Sequence, residues 1–201
     1  MNGEILHHFL WVSSFTEYTV VDVTHAVKIT PEIPADKACL LGCGVSTGSP
    51  VVAGIGAAWK VAEVEEGSTV AIFGLGPVIN ELTNGGADYC FECIGLASLM
   101  QEAFLSSRKG WGKTVILGVE MHGSQLSLNP YEFLRGRSVT GTLFGGIKPK
   151  SDIPLLAKKY LDNELSLDGF ISHELSFQDI NKAFELHQEG KSLRCIIWMD
   201  H

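Results

Sequence analysis

The chain has 201 residues, 45% hydrophobic and 19% charged, with a mean hydropathy of +0.17. That is enough to bury a core and too apolar for wholesale disorder. The net charge of −8, without a basic stripe, argues against a nucleic-acid partner.

No apolar run reaches the ~18 residues of a membrane span, and MNGEILHHFLWVSS lacks the pattern of a secretory signal. The expectation is a cytoplasmic chain with no membrane partner. An odd number of cysteines, five, points to thiols or metal ligands over a disulfide framework.

Residues 15–29, FTEYTVVDVTHAVKI, are rich in Val, Thr, Tyr and Ile and predict one or two strands. A stiff TPEIP connector follows. Asp36 is placed to cap a helix through KACLLGC that stops at Gly44. Ala57–Val64 predicts a helix, with Gly67 as its stop. Thr69–Phe73 is continuously apolar, as for a strand buried on both faces. Asp88–Ile94, Lys113–Leu117 and Ser138–Phe144 read as further buried strands. Leu96–Ser107, Pro154–Asn163 and Phe177–Glu189 read as helices, the last with Ser176 as cap and Gly190 as stop. Phe170–Leu175 and Arg194–Met199 read as strands. Strands alternating with helices imply an α/β sheet. The ends differ from the middle, with a β-rich start and an αβαβ finish.

A dinucleotide fold places Gly-x-Gly-x-x-Gly between a strand and a helix, and an acidic residue ~20 positions on for a ribose hydroxyl. Gly74 and Gly76 stand at the first two glycine positions, but Ile79 occupies the third. Pro77 suits the first turn of a helix. Alone, this GxG is as well read as a simple turn. Only eleven residues, Pro77 to Ala87, separate Gly76 from Asp88. A crossover with its helix needs at least ~10–12 residues, so no second strand with its ribose acid fits between them. Glu92 stands at roughly the right distance for that acid, but inside an apolar strand. It is expected there as a paired or edge-facing carboxylate.

HHFL…SSFTEYTVV, CLLGCGVSTG, GAAWKVAEVEEGSTVAIFGLGPV, NGGADYCFECIG, NPYEFLRGRSVTGTLFGG and SLRCII follow one another in a single order. In that order the chain resembles the zinc-dependent medium-chain alcohol dehydrogenases, most closely their plant alcohol dehydrogenase-like branch. The resemblance implies a truncated Rossmann-type parallel sheet flanked by remnants of a GroES-like β-rich catalytic domain. Residues 1–44 are the expected catalytic-domain remnant and 45–143 the truncated dinucleotide-binding domain. Residues 144–201 are the expected return to the catalytic domain. Against that pattern the family's N-terminal zinc-binding region is expected before Met1. About six extra residues interrupt the chain around Ser49–Ile55, where short loops are the norm. The dinucleotide unit is cut after Gly74-Leu-Gly76-Pro77-Val78 and resumes at a late helix.

The resemblance implies zinc and NAD as cofactors, and alcohols, aldehydes or ketones as substrates. Cys43 matches a catalytic-zinc ligand; read alone, it is a small buried hydrophobe. Cys39, four residues earlier, would share its helical face. Thr47, Gly74, Gly76, Ile94, Leu117, Gly118, Val119, Phe144 and Arg194 match cofactor-contacting positions. Phe9 and Leu10 match the substrate pocket, and read alone are ordinary core. Cys90-x-x-Cys93 lies in a predicted buried strand and reads as packing. The seven histidines show no metal spacing, so no residue is assigned a catalytic role. The expectation is an alcohol dehydrogenase-like chain inactive alone. A second expectation is a non-catalytic fragment that forms a homodimer, or a heterodimer with full-length subunits, through SVTGTLFGG. A third is a reduced nucleotide binder without zinc chemistry.

Overall fold

Four short strands form one parallel sheet in the order in which they occur: β3 (Val70–Phe73), β4 (Tyr89–Glu92), β5 (Lys113–Ile116) and β6 (Ser138–Gly141), the last polar and largely exposed rather than the buried strand expected from sequence. The structure, a computed structural model, describes residues 12, 14–49, 52–73, 83 and 85–199. The chain divides into two compact units, Met1–Lys37 with Pro149–His201, and Ala38–Lys148. The sheet belongs to the second unit.

Around β3, β4 and β5 both faces of the sheet are covered, as continuous apolar runs require. Ala71, Phe73, Ala87, Cys90 and Ala103 pack on one face, Ala103 coming from the helix Ala97–Ser106. Phe91, Val115 and Leu117 pack on the other with Ala57 and Ala62 of a single π-helical segment, Ala57–Ala62. Lys113 Nζ donates to the carbonyls of Ala62 (3.1 Å) and Val61 (3.4 Å), satisfying acceptors that the helix end leaves open. Glu63, in the left-handed region at φ 55°, turns the chain out of that segment. The helix therefore ends before Gly67, the stop expected from sequence.

The same unit carries a small antiparallel pair, β1 (Gly48–Ser49) with β2 (Val52–Ala53). The extra segment around Ser49–Ile55 contributes to this pair. The first unit holds a two-stranded parallel sheet, β7 (His173–Ser176) with β8 (Cys195–Trp198), and the helices Pro149–Leu161 and Ile180–Gln188. Gly190, at φ 67°, follows the second helix in the left-handed geometry of a stop.

Ser176 makes no capping bond, and the helix expected from Phe177 starts at Ile180 after a 3₁₀ turn, Phe177–Asp179; two further stretches depart more from their expectations. Residues 15–29 form no strand; their one regular element is a 3₁₀ turn at Val23–His25. Asp22 accepts from the Thr24 N–H at 2.7 Å, a local bond that competes with a ladder. Tyr18, Val20 and Val23 are exposed, and β-branched composition makes a strand only against a partner. The helix expected from Asp36 to Gly44 is broken into Ala35–Ala38, a 3₁₀ turn Cys39–Leu41, and Gly44–Thr47. Asp36 lies inside the first of these rather than capping it, and pairs with Lys37.

Candidate functional site

In open α/β sheets, ligands bind outside the carboxyl ends of the strands. In this sheet those ends are Glu92–Gly95 after β4, Leu117–Val119 after β5, and Thr142–Phe144 after β6. The first two touch backbone to backbone. The Leu117 and Gly118 N–H groups both donate to the Glu92 carbonyl, at 2.8 and 3.0 Å. A Cβ on Gly118 would stand 2.0 Å from the Gly95 nitrogen, and a Cβ on Gly95 would stand 2.3 Å from the Val119 carbonyl oxygen. Gly95 also has φ 91°, so both the space and the conformation demand glycine there.

β5 and β6 diverge just beyond the bond from Thr142 N–H to the Ile116 carbonyl (3.1 Å). A groove opens between them, lined by Ile116, Leu117, Gly118, Val119, Thr142 and Leu143. Its rim is apolar yet exposed: Val119 at 60% and Leu143 at 84%, with Ile94 at 38% beside it. Past the groove, Phe144 takes φ 56°, followed by Gly145 at 63° and Gly146 at 67°. A left-handed phenylalanine is uncommon and is held in place by its surroundings. A Cβ on Gly56, the residue before the π segment, would lie 2.6 Å from the Gly145 oxygen, so the turn is clamped from behind.

Thus Ile94, Leu117, Gly118, Val119 and Phe144, expected along the cofactor, gather at one end of one sheet. Thr47 closes the helix Gly44–Thr47 in the same unit. Arg194 belongs to the other unit; its Nη1 donates to the Leu193 carbonyl at 2.9 Å, and it lines a small apolar cavity with Phe184 and Cys195. Gly74, Gly76, Phe9 and Leu10 lie outside the described residues.

Cys43 is exposed, just before the helix Gly44–Thr47. The break after Cys39 removes the continuous helical face that would align Cys39 with Cys43. Among the described residues no three His, Cys, Asp or Glu side chains gather as a metal site. They do not supply the three protein ligands a catalytic zinc needs.

Glu92 corrects its own expectation. It sits on an interior strand, fully buried, and among the described residues it is neither ion-paired nor at an edge. Its Oε1 accepts from the backbone N–H groups of Ile94 and Gly95, both at 2.8 Å. Gly95 and Thr142 also escaped sequence reading. The glycine ending FECIG, in the place that Gly118 takes in VILGV, was the available signal for the former.

With this geometry in hand, the family profile described as zinc-binding dehydrogenase matches residues 55–181. The chain belongs to the zinc-binding dehydrogenase family. It is 52% identical to Alcohol dehydrogenase-like 1 of Arabidopsis thaliana, over 99% of this chain and 63% of that protein. It is 39% identical to an Alcohol dehydrogenase class-3 of Oryza sativa subsp. japonica, over 100% of this chain and 64% of that one. The chain therefore spans less than two thirds of the curated relatives it matches. Among solved structures, an alcohol dehydrogenase zinc-binding domain protein from Burkholderia ambifaria aligns with a TM-score of 0.80 at 21% identity. That match covers 96% of this chain and 63% of the other, and it supports the fold alone. The chain is thus an alcohol dehydrogenase-like member of an oxidoreductase family.

The alignment to the Arabidopsis relative runs over 250 positions against a chain of 201 residues, leaving about 50 positions of the relative without a counterpart. A Rossmann sheet has the order 3-2-1-4-5-6. Here the strand before the GxG turn, β3, neighbours β4, which follows it after only 15 residues. The order β3-β4-β5-β6 is the 1-4-5-6 run of that arrangement. Among the described residues no strand lies on the other flank of β3.

Proposed function

We propose that this family member retains the half of a dinucleotide site that receives the nicotinamide end of NAD. The observation that carries the reading is the exposed apolar rim of Ile94, Val119 and Leu143 at the carboxyl ends of the parallel strands. Exposed apolar groups gathered at a site fit a planar ring better than they fit water. The Gly95–Gly118 crossing keeps this edge flat by excluding side chains from between the strand ends. When bound, the cofactor would supply hydride transfer; the chain's residues would bind and orient it and keep water from its ring face. NAD is preferred to NADP from the resemblance.

The adenosine half of the site is not matched. In a Rossmann sheet the ribose acid follows the second strand, and the 1-4-5-6 run has no such strand. The described thiols do not fit a catalytic zinc. On this reading the chain alone does not oxidise alcohols, aldehydes and alcohols being the substrate class of the whole enzyme.

The test is a titration with NADH, reduced nicotinamide mononucleotide and 5′-AMP, followed by amide shifts of residues 94–95, 117–119 and 142–144. The two nicotinamide ligands should shift these amides with similar affinity, and AMP should not. No shift with any of them would overturn the reading. Alcohol oxidation with added zinc should stay at background.

A second reading has its own observation. β6 lies at the end of the sheet, bonded on one side only among the described residues, and Ser138 and Thr140 are exposed. An open edge of this kind accepts a strand from another chain. This strand is the one the resemblance places at a dimer interface, so the partner would be a second copy or a full-length dehydrogenase subunit. Co-expression with such a subunit should give a mixed dimer on size-exclusion chromatography; recovery of only separate species would discard this reading.

A further inference from the structure

Glu92 is 0% exposed, on a strand with neighbours on both sides. A buried carboxylate normally survives by pairing with a cation or by collecting donors. Glu92 does the second, with one oxygen only. Oε1 takes the Ile94 and Gly95 N–H groups, while Oε2, also buried, has no hydrogen-bond partner among the described residues. Oε2 faces the α-carbon side of Gly118, where a Cβ would stand 2.7 Å away. The Glu92 backbone carbonyl meanwhile takes the Leu117 and Gly118 N–H groups. One residue therefore holds both chain ends that meet at the rim, one with its side chain and the other with its main chain.

No packing need explains a carboxylate here. A leucine would fill the space at no cost in unsatisfied oxygen. What leucine cannot do is hold two consecutive N–H groups just where β4 ends and the chain turns through Gly95 at φ 91°. Without an acceptor the buried Gly95 donor and the part-buried Ile94 donor would be left open, and the turn would be free to move away from Gly118 and Val119.

We infer that Glu92 is a positioning residue: its carboxylate fixes the Ile94–Gly95 turn against Gly118, and so sets the height of the nucleotide-binding rim. The inference rests on the proposed function for its ligand, but not for its geometry. Glu92→Gln keeps one carbonyl oxygen to accept both N–H groups, and Glu92→Ala keeps none. Gly169→Ala, in the other unit and with nothing within 4 Å of the added Cβ, is the control.

Two readouts separate the possible failures. The first is amide hydrogen exchange at Ile94, Gly95, Leu117 and Gly118 compared with the sheet centre at Phe91 and Val115. In Glu92→Ala the four rim amides should exchange faster by about tenfold or more, with the sheet centre far less affected. Glu92→Gln should restore most of the protection. The second is the Kd for reduced nicotinamide mononucleotide, expected to weaken about tenfold in Glu92→Ala and less in Glu92→Gln.

If wild type binds no nicotinamide ligand, the functional reading falls, and the exchange data alone judge Glu92. If Glu92→Ala is unfolded, Glu92→Leu, which fills the space without an acceptor, takes its place. Rim-confined exchange changes with near-wild-type protection of Phe91 and Val115 support positioning. Equal exchange at the rim in Glu92→Ala and in wild type would overturn it, as would a loss spread evenly over the sheet.

Discussion

Arg137 and Glu132 form a buried ion pair against the end of the helix Ala97–Ser106. The Arg137 guanidinium also donates to the Ser107 carbonyl at 2.7 Å and to the Leu105 carbonyl at 2.9 Å. A cation thus caps the carbonyls that a helix C-terminus leaves open. Glu132 takes a second donor, Arg135 Nη1, at 3.0 Å. Arg137→Met would leave Glu132 buried beside a half-exposed arginine and uncap two carbonyls, for a loss of about 3–5 kcal/mol. Adding Glu132→Gln should recover part of it. Urea unfolding of the single and double variants checks this; a single variant within about 1 kcal/mol of wild type would show the network to be decorative.

Asp88 ties the amino ends of the strands as Glu92 ties the carboxyl ends. Its Oδ2 accepts from the Thr69 N–H at 2.9 Å, and its Oδ1 accepts from Trp111 Nε1 at 3.0 Å. Arg108 Nε stands 3.1 Å from that oxygen, a charge contact rather than an aligned hydrogen bond. The Thr69 amide, ahead of Trp111 and Arg108, holds the Asp88 carboxyl below its ordinary value of 3.8, against a smaller opposing effect of burial. The folded state therefore binds this proton less readily than the unfolded chain. The stabilisation is whole above pH 3.8 and is lost as pH falls through the lowered folded value. Asp88→Asn should melt lower at pH 6, and the gap to wild type should narrow by pH 3. Melting temperatures across that range test it; a gap that widens on acidification would contradict the assignment.

The Cys90-x-x-Cys93 spacing is redox spacing in sequence and packing in the fold. Cys90 belongs to the cluster with Ala71 and Phe73, and Cys93 packs against the cluster of Phe91 and Val115. In a strand, positions three apart face opposite sides. Burial pushes both thiols up to about 12, Cys93 with added help from the charge of Glu92. Neither should alkylate in the native chain at pH 8, whereas the exposed Cys39 and Cys43 should. Peptide mapping after brief alkylation checks it. An oxidised Cys90–Cys93 pair in folded protein would refute the packing.

The sheet was legible because Val70–Phe73, Tyr89–Glu92 and Lys113–Ile116 are short apolar runs between turn residues, and that pattern has few other solutions. The residues around the groove were legible only through resemblance: nothing in LGV or LFG announces a rim. Residues 15–29 misled because strand composition reports a preference for a pleated, half-buried surface, and no partner strand is described for them. Glu92 misled for a different reason. A carboxylate in an apolar run can meet a cation or backbone N–H groups, and the second solution depends on a turn whose shape is set by Gly95. Phe144 at φ 56° was hidden because a phenylalanine after a β run reads as more strand.

Gly118 gives the sharpest prediction. A Cβ there meets backbone at 2.0 and 2.6 Å and the Glu92 carboxylate at 2.7 Å, all on the crossing that builds the rim. Backbone cannot rotate away as a flexible side chain can, so Gly118→Ala must part the ends of β4 and β5. Overpacking of this kind costs about 1–3 kcal/mol, and here it also opens the bonds from Leu117 and Gly118 to the Glu92 carbonyl. Gly141→Ala, on the other wall of the groove, meets nothing closer than 3.9 Å and should be near neutral. Urea midpoints of the two variants should therefore separate although each adds one methyl to the same groove. Nicotinamide binding should fall with Gly118→Ala. If the two variants behaved alike in stability and binding, the backbone crossing would not be what holds this rim, and both Gly118 and the role assigned to Glu92 would have to be given up.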